Sequence, residues 1–248
     1  MKQATVIAAG AFVSVWTASL LVASAPVSAA SVLAANPSVY NWSGCYFGAT
    51  TGGLWADKNW GAFTAAGHSE NGPGGDVSAS GWLFGGQVGC NMQVGPWVFG
   101  GQLDEAWSNA RGSNVESLTG LFSPPISDTS RVTSLGSATV RTGYGFDRFL
   151  PYIKGGLAWD TSRFQEVGQF ISSSVVDDSR TGWTIGAGVE YAVTHNLTAF
   201  AEYDFYDFGS KAESFVFPNV SFYNNSRSIS ETNNVVKIGV NWKVDLGQ

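Results

Sequence analysis

Few residues in this sequence carry the chemistry of catalysis or metal binding. It has two cysteines, Cys45 and Cys90, and two histidines far apart along the chain, His68 and His195. Two cysteines are too few for a disulfide scaffold, and with such distant histidines they form no metal-ligand pattern. A hydrolase would need a serine or cysteine near a histidine and an orienting acid. The sequence therefore predicts no enzyme and no catalytic, cofactor or metal site.

The remaining chemistry lies in a sparse set of charged residues. They make up 13% of the chain, against 44% hydrophobic residues, while an average soluble domain carries about 25% charged residues. Charges of both signs recur among glycines in the polar rows of alternating segments. Six of them are predicted to balance one another in one network: Asp104, Arg141, Lys154, Glu190, Glu202 and Lys237.

The elements that position these residues are predicted to be β-strands. From Trp82 to Val94 the alternate residues are mostly apolar, while the interleaved residues are glycine, leucine and amides. Alternation with a period of two indicates a strand with one apolar face. Eight such segments follow one another, at about 45–50, 82–94, 97–104, 137–144, 153–159, 183–191, 197–205 and 236–243.

The connections between these segments alternate between short and long. Tight turns are predicted at 95–96, 145–150 and 194–196, and long polar loops at 56–80, 109–130, 161–180 and 210–233. Several long loops are unusual in a soluble domain, whereas short periplasmic turns and long extracellular loops are typical of outer-membrane barrels. The predicted fold is all-β, an eight-stranded antiparallel transmembrane β-barrel.

The polar rows are too poor in charge to face water, so the apolar rows are predicted to face lipid. The six charges then lie in the lumen, either as a structural plug or as the lining of a narrow pore. The plug is favoured because eight strands leave little open cross-section. Aromatic girdles are predicted at both membrane interfaces, with Trp42, Trp97, Tyr144, Tyr191 and Trp242 near the short turns and Trp82, Trp107, Trp159 and Trp183 near the long loops.

On this topology the cysteines lie on the same face of neighbouring strands. Cys45 and Cys90 form a cross-strand disulfide if the register places them opposite each other. They serve equally well as two small lipid-facing hydrophobes. In the loops, apolar residues at 122–125 and 215–218 either bind a partner or pack within the loop.

The N-terminus has the pattern of a signal peptide, with Lys2, an apolar stretch and small residues up to Ala29. The predicted organisation is a signal peptide at 1–29, a periplasmic segment at 30–41, the barrel at 42–244 and a tail at 245–248. Without Lys2 the chain has 12 basic and 19 acidic residues, a net charge of −7. Such acidity argues against nucleic acid as a partner.

Several motifs resemble a known family. The stretches 41–48, 85–89, 95–100, 141–152 and 181–191, with Tyr206-Asp207-Phe208-Gly209, are similar to the strands of porin-like outer-membrane immunogenic proteins of alphaproteobacteria. The resemblance spans essentially the whole chain after the signal peptide and implies an OmpA-like barrel without catalytic residues. Two features depart from it: the cysteine pair, and Val244 where relatives usually place an aromatic residue.

The function expected from this resemblance is that of a surface barrel in the outer membrane of a Gram-negative bacterium. Its role would be structural, in envelope integrity, or in contact with a host or surface. The alternative is a narrow porin for passive diffusion. The expected partners are outer-membrane lipids and lipopolysaccharide, with an extracellular ligand at the long loops as a further candidate.

Overall fold

In the computed structural model, the described residues are 40–61, 64–65, 68–69, 76–116, 126–167, 173–216 and 225–244. Within them, eight long strand positions hydrogen-bond side by side and close into an antiparallel ring. The predicted signal peptide and the tail at 245–248 lie outside the described residues. In the described part of the chain, no helix is long and apolar enough to cross a membrane.

The ring follows the chain order of its strands. These are β1 (Gly44–Trp60), β2 (Thr64–Ala65), β3 (His68–Ser69), β4 (Asp76–Val94), β5 (Trp97–Ser108), β6 (Arg111–Glu116), β7 (Ile126–Tyr144), β8 (Phe149–Val167), β9 (Val176–Ala192), β10 (Leu197–Phe215) and β11 (Asn225–Val244). β5 and β6 share one position, since both pair with β4 and β7. β11 pairs back with β1 and closes the ring, while β2 and β3 form a small hairpin beside β11.

The predicted barrel is confirmed, but the predicted extent of the long loops is wrong. At least half of each of the ranges 56–80, 109–130, 161–180 and 210–233 is strand, because β1, β4 and β7 to β11 are 17 to 20 residues long. A strand needs only about 9–11 residues to cross a membrane. The upper halves therefore project beyond the lipid, where the outer face is polar and the apolar residues point inward, so the alternation no longer has the sidedness of a lipid-facing strand.

The two faces of the wall differ sharply in exposure. On the outer face Val140 is 74% exposed and Leu157 is 70% exposed, whereas the interior side chain of Asp204 is 0% exposed. A bulge at Thr133 in β7 shifts the register between Val132 and Ser134. Because one extra residue reverses the alternation, the outward row above the bulge has the opposite parity to the row below it.

Candidate functional site in the barrel interior

A closed ring of hydrogen bonds crosses the interior near the periplasmic end. Arg141 Nη2 lies 2.7 Å from Glu190 Oε2, and Arg141 Nη1 donates to Tyr46 Oη at 3.0 Å. From Tyr46 the ring continues through bonds of 2.9, 3.2, 2.7 and 2.9 Å to Gln102, Gln87, Asn241 and back to Glu190. All these side chains are buried and come from β1, β4, β5, β7, β9 and β11. The ring therefore spans the lumen from wall to wall.

A cluster of buried charges lies directly above this ring. Lys154 Nζ is 2.9 Å from Glu202 Oε1 and 3.2 Å from Asp204 Oδ2. Lys237 Nζ is 2.7 Å from Asp204 Oδ2 and 3.1 Å from Glu202 Oε1. Asp104 Oδ2 accepts from Lys237 at 3.4 Å. Because a buried charge is costly unless it is paired, the two shared ammonium groups offset the cost of burying the three carboxylates.

The structure divides the six predicted network residues between these two levels. Arg141 and Glu190 belong to the ring, and the other four, Asp104, Lys154, Glu202 and Lys237, belong to the cluster. Tyr152 joins them, because its hydroxyl donates to Glu202 Oε2 at 2.8 Å and its ring lies 4.0 Å from the Arg141 guanidinium carbon. Asp204 was missed as a member, although it alternates with Glu202 in the polar row of β10.

The upper interior is largely apolar, which the sequence reasoning did not predict. Leu54, Leu83 and Leu135 pack with Phe208 and Val235 above the charge cluster. Inward positions at this level of β1 and β4 are leucine and alanine, such as Ala56 and Ala79, rather than the glycines and polar residues of the lower rows. The barrel therefore has a conventional hydrophobic core in its upper half.

A second buried ion pair and an aromatic layer complete the stack. Lys58 Nζ lies 2.8 Å from Glu231 Oε2 and donates to Ser162 Oγ at 2.9 Å. Above them the Trp60 ring stacks on Phe215 at a centroid distance of 5.4 Å. Two alternatives were open for Phe215, an exposed contact with a partner or packing within the protein. Its side chain is fully buried and packs inside the barrel.

A polar cluster lies at the extracellular mouth, beyond the aromatic layer. Asp178 on β9 accepts hydrogen bonds from Arg180 and from Lys211 on β10. Burial by itself would raise the pKa of the Asp178 carboxyl, but the two donors outweigh burial and hold this pKa below its ordinary value. Arg180 Nη1 also donates to the Ile229 carbonyl at 2.7 Å. The cluster ties β9, β10 and β11 together above the membrane.

At the periplasmic end, Trp42 closes the mouth of the barrel. Its side chain is 3% exposed and packs on Val98, Leu150 and Ala192. Its indole Nε1 donates to the Asp147 carbonyl at 3.0 Å. Assigning Trp42 to the lipid-facing girdle was therefore wrong: the residue precedes β1, so the alternation of the strand does not set its direction, and it turns inward.

The other predicted girdle residues lie on the outer wall. Trp97 and Tyr144 contact each other edge to face at 5.3 Å near the short turns. Half-exposed rings also stand there at Tyr191 and Trp242 and, near the long loops, at Trp82, Trp107 and Trp183. Trp159 is partly buried, because its Nε1 donates to Glu105 Oε2 at 2.8 Å. Trp55, 50% exposed, also lies on this wall and was missed because β1 extends further than its alternation indicated.

Cys45 and Cys90 are joined by a disulfide in the structure. They stand directly opposite each other in the register of β1 and β4, near the periplasmic end of the wall. The bond therefore links two strands that already pair along most of their length.

The chemistry available to this interior is electrostatic and structural. His195 lies in the short turn after β9, at the periplasmic end of the barrel. His68 lies in β3, at the extracellular end, so the two histidines are far apart. Among the described residues, no group of three or more His, Cys, Asp or Glu side chains is arranged to hold a metal ion. What the buried residues form is a series of polar and apolar layers along the barrel axis.

Comparison with known proteins gives matches over most of the chain. A family model described as outer membrane protein beta-barrel domain matches residues 17–243. The chain is 28% identical over 239 residues to the 31 kDa outer-membrane immunogenic protein of Brucella melitensis. The aligned region covers 93% of this chain and 95% of that protein. It is 33% identical over 166 residues to the 22 kDa outer membrane protein of Rhizobium leguminosarum, covering 64% and 66% of the two chains.

A solved structure shares the same architecture. The crystal structure of OprG from Pseudomonas aeruginosa superposes with a TM-score of 0.58 and covers 83% of this chain and 99% of its own. The sequence identity is 14%, so the likeness concerns the fold alone.

Proposed function

This chain belongs to the outer membrane protein beta-barrel domain family, and we propose that it acts as a non-conducting structural and surface component of the outer membrane. The predicted resemblance to outer-membrane immunogenic proteins and the predicted outer-membrane location are confirmed by the relatives from Brucella and Rhizobium. The narrower role is the proposal, and it is supported by the interior rather than by any name.

The observation that supports a non-conducting role is the filled interior. The hydrogen-bond ring through Arg141 and Glu190 draws on six strands, and the charge cluster above it is at most 3% exposed at each side chain. An ion would have to break paired charges and then cross the apolar layer around Leu54 and Leu83, where it would lose its hydration without gaining a partner.

Planar-bilayer recording tests this proposal. We expect the purified wild-type barrel to insert without unitary current steps, because the ring and the apolar layer obstruct the lumen. A Tyr46→Ser/Arg141→Ser variant removes two side chains of the ring and serves as a sensitised comparison. Steady, reproducible current steps from the wild type would overturn the proposal and favour a narrow diffusion porin.

We also propose that the protein has no enzymatic activity. Matched relatives are named as outer-membrane immunogenic proteins, and most charged side chains of the described interior are paired with one another. A fluorogenic peptide and ester panel on the folded protein tests this point. Turnover that persists after repeated purification, and that an active-site-directed inhibitor abolishes, would contradict the proposal that the protein is not an enzyme.

Contact with a host or another surface would fall to the strand extensions above the membrane and the loop tips they carry. The apolar residues at 122–125 lie outside the described residues, while Val216 is 47% exposed at the end of β10. We propose that these strand extensions present the antibody-accessible surface of the protein. Antisera against the folded barrel should label intact cells, and labelling only after outer-membrane permeabilisation would refute this orientation.

A further inference from the structure

Three arginines stand side by side on the outer wall, above the rows of side chains that face the hydrocarbon core. Arg111 of β6 is opposite Arg131 of β7, and Arg131 is opposite Arg163 of β8 in the strand register. All three are exposed and point away from the lumen. Directly opposed residues on neighbouring strands have Cβ atoms about 4.5–5.5 Å apart, so three positive charges stand at close quarters.

Protein carboxylates balance only part of this charge. Arg163 Nε lies 2.6 Å from Asp177 Oδ1, in an exposed pair. Among the carboxylates whose side chains the structure describes, none lies within 4.0 Å of the guanidinium of Arg111 or Arg131. Like charges directly opposite each other destabilise a sheet, and the chain as a whole is acidic, with a net charge of −6. A row of arginines in this setting indicates an anionic partner outside the chain.

The surroundings of the row suit phosphate. The arginines border a recess of about 630 Å³ that is also lined by Ser113 and Thr129, one step further along the same strands. Guanidinium groups bind phosphate oxygens in a bidentate geometry, and hydroxyl groups add weaker donors.

The height of the row on the wall identifies the source of the phosphate. Arg163 follows Trp159 on the outward face of β8 by four residues, a rise of about 13 Å along the strand and about 10 Å along the membrane normal at the usual barrel tilt. The polar headgroup layer extends roughly 5–8 Å beyond the hydrocarbon on each side, and arginine side chains reach downward to it. The row therefore faces sideways into the outer-leaflet headgroups, not upward into solvent.

We propose that Arg111, Arg131 and Arg163 form a binding site for the phosphate groups of lipid A, the lipid anchor of lipopolysaccharide. The site clamps one lipid against β6, β7 and β8. It is independent of whether the lumen conducts, because it lies wholly on the outer wall.

Binding of labelled lipid A to the folded full-length protein in neutral detergent micelles tests the site. We expect bisphosphorylated lipid A to bind at least about tenfold more tightly than dephosphorylated lipid A, and Arg131→Gln to weaken the phosphorylated form by about tenfold. The Arg111→Gln/Arg131→Gln/Arg163→Gln variant should no longer distinguish the two lipids. The matched control is Arg148→Gln, an exposed arginine in the periplasmic turn, which should bind like the wild type.

Each other outcome counts against the site. Equal binding of the two lipids by the wild type overturns it without recourse to any variant. An Arg131→Gln protein that folds and binds as the wild type does also overturns it. If inorganic phosphate competed as effectively as lipid A, the ligand would be a free anion and not a lipid. If a heparin fragment bound more tightly than lipid A, the ligand would be a sulfated glycan.

Discussion

Arg141 is the residue on which the lower interior depends most. It bonds Glu190 at 2.7 Å and Tyr46 at 3.0 Å, and it lies over the Tyr152 ring. Removing one partner of a buried ion pair leaves an uncompensated charge, at a cost of about 3–5 kcal/mol. We expect Arg141→Met to lower the free energy of unfolding by that amount, measured by urea titration in detergent with circular dichroism.

The double variant separates pairing from packing in this prediction. Arg141→Met/Glu190→Leu removes both charges, so it should recover part of the stability that Arg141→Met loses. Arg148→Met, at an exposed position in the turn between β7 and β8, should be close to neutral. If Arg141→Met matched Arg148→Met, the ring would not be stabilising the barrel.

Trp42 offers a second prediction at the residue scale. Truncating a fully buried tryptophan costs about 3–5 kcal/mol, and here the hydrogen bond to the Asp147 carbonyl is lost as well. Trp42→Ala should therefore destabilise the barrel far more than Trp97→Ala, whose ring is 51% exposed on the outer wall. If urea titrations showed that the two variants lose the same free energy of unfolding, Trp42 would lie on the lipid-facing surface and not inside the barrel.

Single residues also show where sequence reasoning succeeded and where it stopped. The inward direction of the polar rows of β7 to β11 was predictable, because alternation fixes the side of every second residue in a strand. Trp42 could not be placed this way, since it precedes the first ladder bond. Asp204 had the right parity and was overlooked only as a partner, because sequence alternation does not say which inward side chains meet across a lumen.

At the scale of elements, the Cys45–Cys90 bond fastens β1 to β4. It closes a loop with a sequence separation of 45, and a disulfide over such a loop typically stabilises by about 2–4 kcal/mol. We expect reductant to lower the urea midpoint of the wild type and to leave Cys45→Ala/Cys90→Ala unchanged. Alkylation without reductant should add no label to the wild type, and two added labels would show that the bond is absent.

The strands themselves were predictable in their membrane-crossing parts and not above them. Between Trp82 and Val94 one face meets lipid, so apolar and polar residues must alternate. In Asp57-Lys58-Asn59 of β1 both faces are polar, and the chain is kept extended by ladder hydrogen bonds to β4 and β11 and by the buried pair of Lys58 with Glu231. Pairing with neighbours is a property of the closed sheet, which no single segment encodes.

For the whole molecule, closure of the ring is the dominant fact. β11 pairs with β1 from Cys45–Val244 to Trp60–Ile229, so no long strand in the described barrel has a free edge. We expect unboiled protein in dodecyl sulfate to remain folded and to migrate differently from boiled protein. Arg141→Met should shift this transition to a lower temperature, and identical migration before and after boiling would contradict a stable closed barrel.

The bulge at Thr133 carries a consequence for how this wall can evolve. Below it, Leu135 and Ser137 point inward; above it, Val132 points inward and Arg131 outward. Deleting Thr133 would make Val132 and Ser134 consecutive opposite Ser162 and Thr161, so the bulge would disappear while Val132 stayed inward and Arg131 outward. Related sequences that lack the extra residue should therefore keep one outward parity along the whole of this strand, whereas those that keep it should change parity at the bulge.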